Sequence, residues 1–237
     1  MLVQRVEALT GYSFRDRSIA LQSLTHSSYS NENGEVITDV TLLADNERLE
    51  FLGDAVIGLC VAKNLMERFP CATEGKLSRW RSSLVSRKTL AEIAAELDLG
   101  NLVRLGRGER QTGGSEKRSI LAAALEAIVG AVFKDGGILP ADEFLVRIYQ
   151  PLFAMLEGGD EQLYRLMDKK THLQERTQCL FKAAPLYRLV GAWGPEHEKF
   201  FRVEIVIDGK VIAQGDGRSK KDAEQHAASL ALEILGF

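Results

Sequence analysis

Apolar residues recur at helical spacing through the first two thirds of the chain and switch to strict alternation in the last third. Residues 45–69, DNERLEFLGDAVIGLCVAKNLMERF, form one long periodic run that stops before Pro70. A second run covers 74–97, with Leu77, Trp80, Leu84 and Val85 at helical spacing and Thr73 placed to cap it. Residues 100–118 hold five glycines among charges and predict a long loop. Residues 119–135, SILAAALEAIVGAVFKD, are apolar on nearly every side, which predicts a buried helix, and 139–156 supply another. Residues 157–170, EGGDEQLYRLMDKK, read as a flexible join. From Thr171 the texture changes. THLQERTQCLFK predicts a short helix and PLYRLVGAW a strand. FFRVEIVIDGKVIAQGDG then alternates, with Phe201, Val203, Ile205 and Ile207 on one face and Asp208-Gly209 as a two-residue hairpin turn. SKKDAEQHAASLALEIL closes with a helix. The pattern predicts an all-α domain at 1–156, a linker at 157–170 and a small α+β domain, ordered α-β-β-β-α, at 171–237.

Composition narrows the class. The chain has 237 residues, 45% hydrophobic and 27% charged, enough to bury real cores without disulfide or metal staples. No apolar run approaches the roughly 20 residues that span a bilayer. The first residues show no basic segment followed by an apolar one, so neither a membrane partner nor a secretory signal is expected. Cys60, Cys71 and Cys179 form no CxxC pair and read as reduced thiols of a cytoplasmic protein. No GxxxxGK[ST] occurs, so the glycines at 100–118 are taken as plain loop and no small-molecule cofactor is expected. Net charge is −3, but it is unevenly spread. Residues 168–237 carry 11 lysines and arginines against 10 acids, whereas 1–167 carry 19 against 23. Where those charges face matters more than their total.

The acids of the first part are grouped. On a helix turning about 100° per residue, Glu47, Glu50 and Asp54 fall within about 60° of one another, with Leu49, Leu52, Val56 and Leu59 on the opposite side. Clustered carboxylates repel. A divalent cation would remove the conflict, and Mg²⁺ suits a few carboxylates plus waters. A solvated acidic face is the alternative, and spacing alone favours it slightly. Glu126 shifts the balance, as the only charge between Arg118 and Lys134. A carboxylate in an apolar helix is costly unless paired or metal-bound. It faces solvent, meets an arginine such as Arg48, or completes the acid cluster.

A second cluster opens the last helix. Ser219 is placed to cap it, and Arg218, Lys220 and Lys221 crowd its start. A helix N-terminus already favours phosphate. Bases there oppose the helix dipole, which suggests an anionic ligand rather than a bland charged end.

The segment NERLEFLGD at 46–54 resembles the signature of the ribonuclease III family. The resemblance continues through TGYSFRDRSIALQSLTHSSY (10–29), TEGKLSRWRSSLVS (73–86), LGRGE (105–109) and SILAAALEAIVGAVFKDGG (119–137). Residues 171–237 are similar to a double-stranded RNA-binding domain. The resemblance implies a dimeric all-helical endonuclease that cuts double-stranded RNA with Mg²⁺, Mn²⁺ substituting. It implies 5′-phosphate and 3′-hydroxyl ends and a role in rRNA and mRNA processing. By the same resemblance Glu50, Asp54 and Glu126 fall on metal positions, Asp54 and Glu126 at the catalytic centre. Glu47 and Glu74 fall on supporting acids. Gln174 and His197 would reach minor-groove hydroxyls, and Lys220 and Lys221, with Arg218 and Ser219 beside them, would hold phosphates. Glu224 stands where many relatives outside this enzyme family carry a lysine. Phe51 and Leu52 are candidates for the homodimer interface. His26, His172, His197 and His226 are scattered and read as structural or RNA-facing rather than as general bases.

One position departs from the family. SILAD is usual, and here the aspartate's place is Ala123, three residues before Glu126 on the same helix face. Alanine cannot ligate a metal, so the candidate sphere falls from four carboxylates to three. Weaker metal binding and slower cleavage are expected. Two readings stay open: an active double-strand-specific endoribonuclease, and a catalytically weakened form that binds double-stranded RNA. A third, an all-α interaction domain with an RNA-binding tail, sits poorly with five retained acids. Residues 30–45 are longer than the usual family loop and have no functional account.

Overall fold

The computed structural model describes residues 2–33, 45–158, 169–195 and 199–236. The chain divides into two compact units, Met1–Glu157 and Gly158–Phe237. Residues 159–168 of the expected linker and 34–44 of the long loop lie outside the described residues.

The first unit is helical: α1 Leu2–Thr10, α2 Arg17–Ser23, α3 Ser27–Asn33, α4 Glu47–Arg68, α5 Glu74–Leu84, α6 Arg87–Glu96, α7 Arg107–Gln111, α8 Arg118–Gly136 and α9 Ile138–Glu157. Helix α8 is its axis. Ala122, Ala124, Leu125, Ala127, Ile128, Val129, Ala131 and Val132 are all buried, and α2, α4, α6 and α9 pack around it. A helix apolar on every side can be stable only where neighbours cover every side. Helix α9 adds the fully buried Phe144, Tyr149 and Phe153, and the Tyr149 hydroxyl donates to the Leu84 carbonyl at 3.1 Å.

The crossing of α4 and α8 is closer than side chains would allow. A Cβ on Gly53 would lie 1.7 Å from the Glu126 carbonyl oxygen, and one on Gly130 would lie 2.1 Å from the Leu49 carbonyl oxygen. The helices therefore touch backbone to backbone at two glycines. This contact centres the buried face of α4 on Leu49, Gly53, Val56, Ile57 and Cys60. Leu59, expected on the apolar stripe, is 61% exposed instead, because α8 approaches from the Gly53 side.

Two further expectations are corrected. The run at 74–97 is two helices, not one. The Ser86 hydroxyl accepts the Thr89 N–H at 3.2 Å and starts α6, while Thr89 Oγ1 donates back to the Ser83 carbonyl at 2.7 Å. A serine offers the backbone this alternative to a continuing helix. The glycine-rich 100–118 segment is likewise not plain loop: it contains α7 and 3₁₀ turns at Leu99–Asn101 and Gly114–Glu116. Thr73 does cap α5, accepting the Lys76 N–H.

The second unit runs α10 Lys169–Phe181, β1 Leu186–Trp193, β2 Phe200–Ile207, β3 Lys210–Gly217 and α11 Lys220–Leu235. The strands form an antiparallel sheet in the order β1-β2-β3. Asp208 and Gly209 have φ of +48° and +75°, as a type I′ hairpin turn requires. Val203, Ile205 and Ile207 are buried on the face that packs against α10 and α11, through Leu173, Ala227, Ala228, Ala231 and Leu232. No helix among the described residues is long and apolar enough to cross a membrane.

Candidate active site

Helix α4 is held at its start by the turn between α2 and α3. The buried Asn46 donates its N–H to the Thr25 carbonyl at 2.8 Å, and its own carbonyl accepts the Glu50 N–H at 2.8 Å. Glu50 is half-buried at the edge of the α4–α8 contact and Asp54 is exposed one turn on. Between them lies Gly53, pressed against the backbone of Glu126. The glycine contact thus brings two carboxylates of α4 to a third on α8.

The electrostatics report the same proximity. Burial, then Glu50 and Asp54, push the Glu126 carboxyl up to about 7, with Arg87 opposing. Glu50 is raised chiefly by burial, with Glu47 and Asp54 adding to the shift and Arg87 and His26 opposing it. Asp54 thus lies near both Glu50 and Glu126, with Glu47 beside Glu50. Among the described residues the arginine that opposes both shifts is Arg87, the first residue of α6, rather than the Arg48 considered from sequence. Ala123 is half-buried one turn before Glu126. Glu74 stands apart: it accepts the Ser78 hydroxyl at 2.7 Å and lines a groove between α4 and α5 with Ala62, Leu65, Met66, Leu77 and Arg81.

Two other motifs meet beside this group. The Arg104 N–H donates to the Leu24 carbonyl at 2.7 Å, and the His26 N–H donates to the Arg104 carbonyl at 3.1 Å. The Gly106 N–H donates to Ser28 Oγ at 3.0 Å. The Glu32 carboxylate accepts the N–H groups of Arg107 and Gly108. Sequence reasoning missed Gly53, Gly130 and Arg87. The glycines carried a signal, since a glycine inside a helix costs about 1 kcal/mol relative to alanine and calls for a packing reason. Arg87 carried none, because nothing local marks which helix start faces α8.

Among the described residues no three carboxyl, imidazole or thiol groups converge closely enough to enclose a metal. The donor chemistry nonetheless fits a hard divalent cation. It is oxygen only, and its mutual repulsion is what a cation would relieve. Mg²⁺ is commonly held by one or two carboxylates and several waters rather than a closed protein cage.

In the second unit Gln174 is exposed on α10, and Arg218, Lys220 and Lys221 are exposed at the start of α11. Ser219 is the cap: its Oγ accepts the Asp222 N–H at 3.1 Å and donates to the Asp222 carboxylate at 2.8 Å. Glu224 is paired with Lys170 at 2.6 Å. His197 lies outside the described residues. His172 is buried, and burial pulls its imidazole down to about 4, so it is a neutral core residue.

Residues 16–152 match the family model described as ribonuclease-III-like, and 169–235 match the double-stranded RNA binding motif. Ribonuclease 3 of Oleidesulfovibrio alaskensis is 44% identical over 235 residues, covering 99% of this chain and 98% of that protein. The chain belongs to the ribonuclease III family. As a ribonuclease III-type protein it is an endoribonuclease. Ribonuclease 3 of Geobacter sulfurreducens is 42% identical over 230 residues, covering 97% of this chain and 89% of that protein. The nuclease domain of ribonuclease III from Campylobacter jejuni, a structure described for flexibility in a region involved in dimer formation, superposes with a TM-score of 0.56. It is 37% identical and covers 64% of this chain and 99% of its own.

Proposed function

We propose that this ribonuclease III-type chain cuts double-stranded RNA using Mg²⁺, or Mn²⁺ in its place, held by Glu50, Asp54 and Glu126. The observation that carries the reading is the α4–α8 contact at Gly53, which gathers the acids of two helices. When bound, the ion supplies an activated water and stabilises the leaving oxygen of the phosphodiester. Asp54 and Glu126 act at the reacting phosphate, and Glu47 supports them from the adjacent turn. Burial, then Glu50 and Asp54, push the Glu126 carboxyl up to about 7, and it would give up that proton where a cation is held. The products carry 5′-phosphate and 3′-hydroxyl ends. Lys220, Lys221 and Arg218 hold phosphates, and Gln174 and His197 reach the shallow groove of the A-form duplex. Glu224, neutralised by Lys170, subtracts little from that basic patch.

Cutting both strands calls for two sites, which a symmetric dimer supplies. Phe51 is 82% exposed and Leu59 and Met66 follow it on the outer face of α4, a row that supports the dimer reading with α4 at its interface. Glu74 belongs to the adjacent groove of about 210 Å³, so its support is given there rather than at the three acids. We place the work of the enzyme in the cytoplasm, in rRNA and mRNA processing.

Ala123 supports a second reading, a form that binds duplex RNA and cleaves it slowly. Cleavage of a long RNA duplex across Mg²⁺ and Mn²⁺ titrations, for the chain and for Ala123→Asp, decides between them. The restored carboxylate is expected to raise cleavage at low Mg²⁺ by about 10–100-fold, the range set by losing a metal-supporting group. An unchanged rate sinks the idea that Ala123 limits this enzyme.

A further inference from the structure

The sheet of the second unit packs its helices on one face only. Val203, Ile205 and Ile207 of β2 are buried on that face. Successive side chains of a strand alternate, so Phe200 and Arg202 stand on the other face. On β1, Trp193 pairs with Phe200 and Gly191 with Arg202. On β3, Asp216 pairs with Arg202. The outer face therefore gathers Trp193, Phe200, Arg202 and Asp216.

These four side chains form one ordered row. The Trp193 and Phe200 rings are stacked at 15° with centroids 6.4 Å apart. The Arg202 guanidinium lies 5.1 Å from the centroid of the Trp193 ring. Asp216 holds that guanidinium in a bidentate pair, both contacts at 2.7 Å. Gly191 leaves the indole its room, since a Cβ there would lie 3.4 Å from Trp193 Cζ3. Trp193 is nevertheless 44% exposed and Phe200 37%. A cross-strand aromatic pair stabilises a sheet. Rings held in place and left open also present a π surface to a ligand.

The row stands at the end of the sheet that leads to the cations of α11. Phe201 pairs with Gly217, the last residue of β3, and Arg218, Ser219, Lys220 and Lys221 follow directly. Two strand spacings of about 4.8 Å separate β1 from β3. Lys199, next to Phe200, is exposed as well. The acid within the row, Asp216, is neutralised by Arg202. These surroundings suit a planar ring attached to an anionic backbone. In an A-form duplex the base faces are hidden by stacking, whereas an unpaired base offers its face to aromatic rings and arginine planes.

We propose that Trp193 and Phe200, with Arg202, form a stacking platform for an unpaired nucleobase of the bound RNA. This rests on the reading of the second unit as the one that binds duplex RNA. The platform adds a preference for imperfect duplexes to a unit whose other contacts read shape and phosphate.

The test is binding of three RNAs by the full chain in EDTA, followed by fluorescence anisotropy. They are a perfect duplex, the same duplex with one bulged adenosine, and the same bulge with an abasic residue. The adenosine bulge is expected to bind about 5-fold or more tightly than the abasic one, the effect of one base–aromatic stack. Trp193→Ala is expected to remove that difference and leave affinity for the perfect duplex unchanged. Trp193→Phe is expected to keep most of it. Should Trp193→Ala fail to fold by its melting temperature, Trp193→Leu keeps apolar bulk without a π face and is expected to remove the difference too. Equal binding of the two bulges by the unaltered chain overturns the proposal. So does a difference that survives in Trp193→Ala or Trp193→Leu. Equal loss on all three RNAs in those variants also overturns it, assigning the rings to the duplex contact or to the fold. The two levels separate on the perfect duplex. If it is bound and the bulges are not distinguished, only the platform falls. If it is not bound at all, the duplex-binding reading falls and takes this proposal with it.

Discussion

Glu126 is where sequence and structure inform each other most directly at the scale of one residue. As a lone charge in an apolar helix it announces a partner, but the partner is not readable, because Glu50, Asp54 and Arg87 come from other helices. Burial, followed by Glu50 and Asp54 and opposed by Arg87, gives the carboxyl a testable sign. The folded chain holds the Glu126 proton to about pH 7, whereas an ordinary glutamate releases it near 4.5. The stability tied to that proton is complete below pH 4.5 and is lost as pH rises through about 7. In EDTA, Glu126→Gln should therefore gain in melting temperature on the native chain between pH 5 and pH 8, levelling off above that. A difference independent of pH would mean that neither burial nor the neighbouring carboxylates raise Glu126.

The scale of the element is where a single atom decides most. Gly53 and Gly58 lie five residues apart on α4, and helix propensity alone treats them alike. A Cβ at Gly53 would collide with the Glu126 carbonyl, while one at Gly58 would meet nothing within 4 Å. Gly53→Ala should force α4 from α8 and cost at least about 2 kcal/mol, with loss of cleavage. Gly58→Ala should stabilise the chain by up to about 1 kcal/mol through helix propensity. Chemical unfolding of the two variants checks both signs, and equal effects would refute the close crossing. The same scale explains the break in the 74–97 run. Its apolar spacing is continuous, and only the Ser86 hydroxyl, competing for the Thr89 N–H, ends one helix and begins the next.

The whole molecule separates its charges, with the clustered acids in one unit and the exposed Arg218, Lys220 and Lys221 in the other. Binding of duplex RNA should weaken as salt rises, because phosphate contacts release counterions. Lys220→Ala and Lys221→Ala should each lower the slope of log affinity against log salt by about 1, with affinity reduced alike for unrelated duplexes. A slope unchanged in both would remove these lysines from the interface. Assembly is tested separately. Phe51 is exposed and contributes nothing to the core of its own unit, so Phe51→Asp should leave the fold intact and convert a dimer to a monomer in sedimentation velocity. An unchanged sedimentation coefficient would exclude α4 from the dimer contact.

Local pattern sufficed for whatever is encoded locally. Helical and alternating periods gave the two-domain α then α-β-β-β-α order. Asp208-Gly209 gave the hairpin, and Thr73 and Ser219 gave their caps, because each depends on residues a few positions apart. The family resemblance nominated Glu47, Glu50, Asp54 and Glu126 as site acids and Ala123 as a departure, and these stay proposals. Tertiary structure decided what depends on distant segments meeting: that α8 lies against the Gly53 side of α4 and leaves Leu59 exposed, that Arg87 faces the acids, that Glu74 stands apart from them, and that Ser28 meets Gly106. Burial and charge at these places are properties of approach between helices. Nothing in the spacing of one helix states which neighbour will approach it, or how closely.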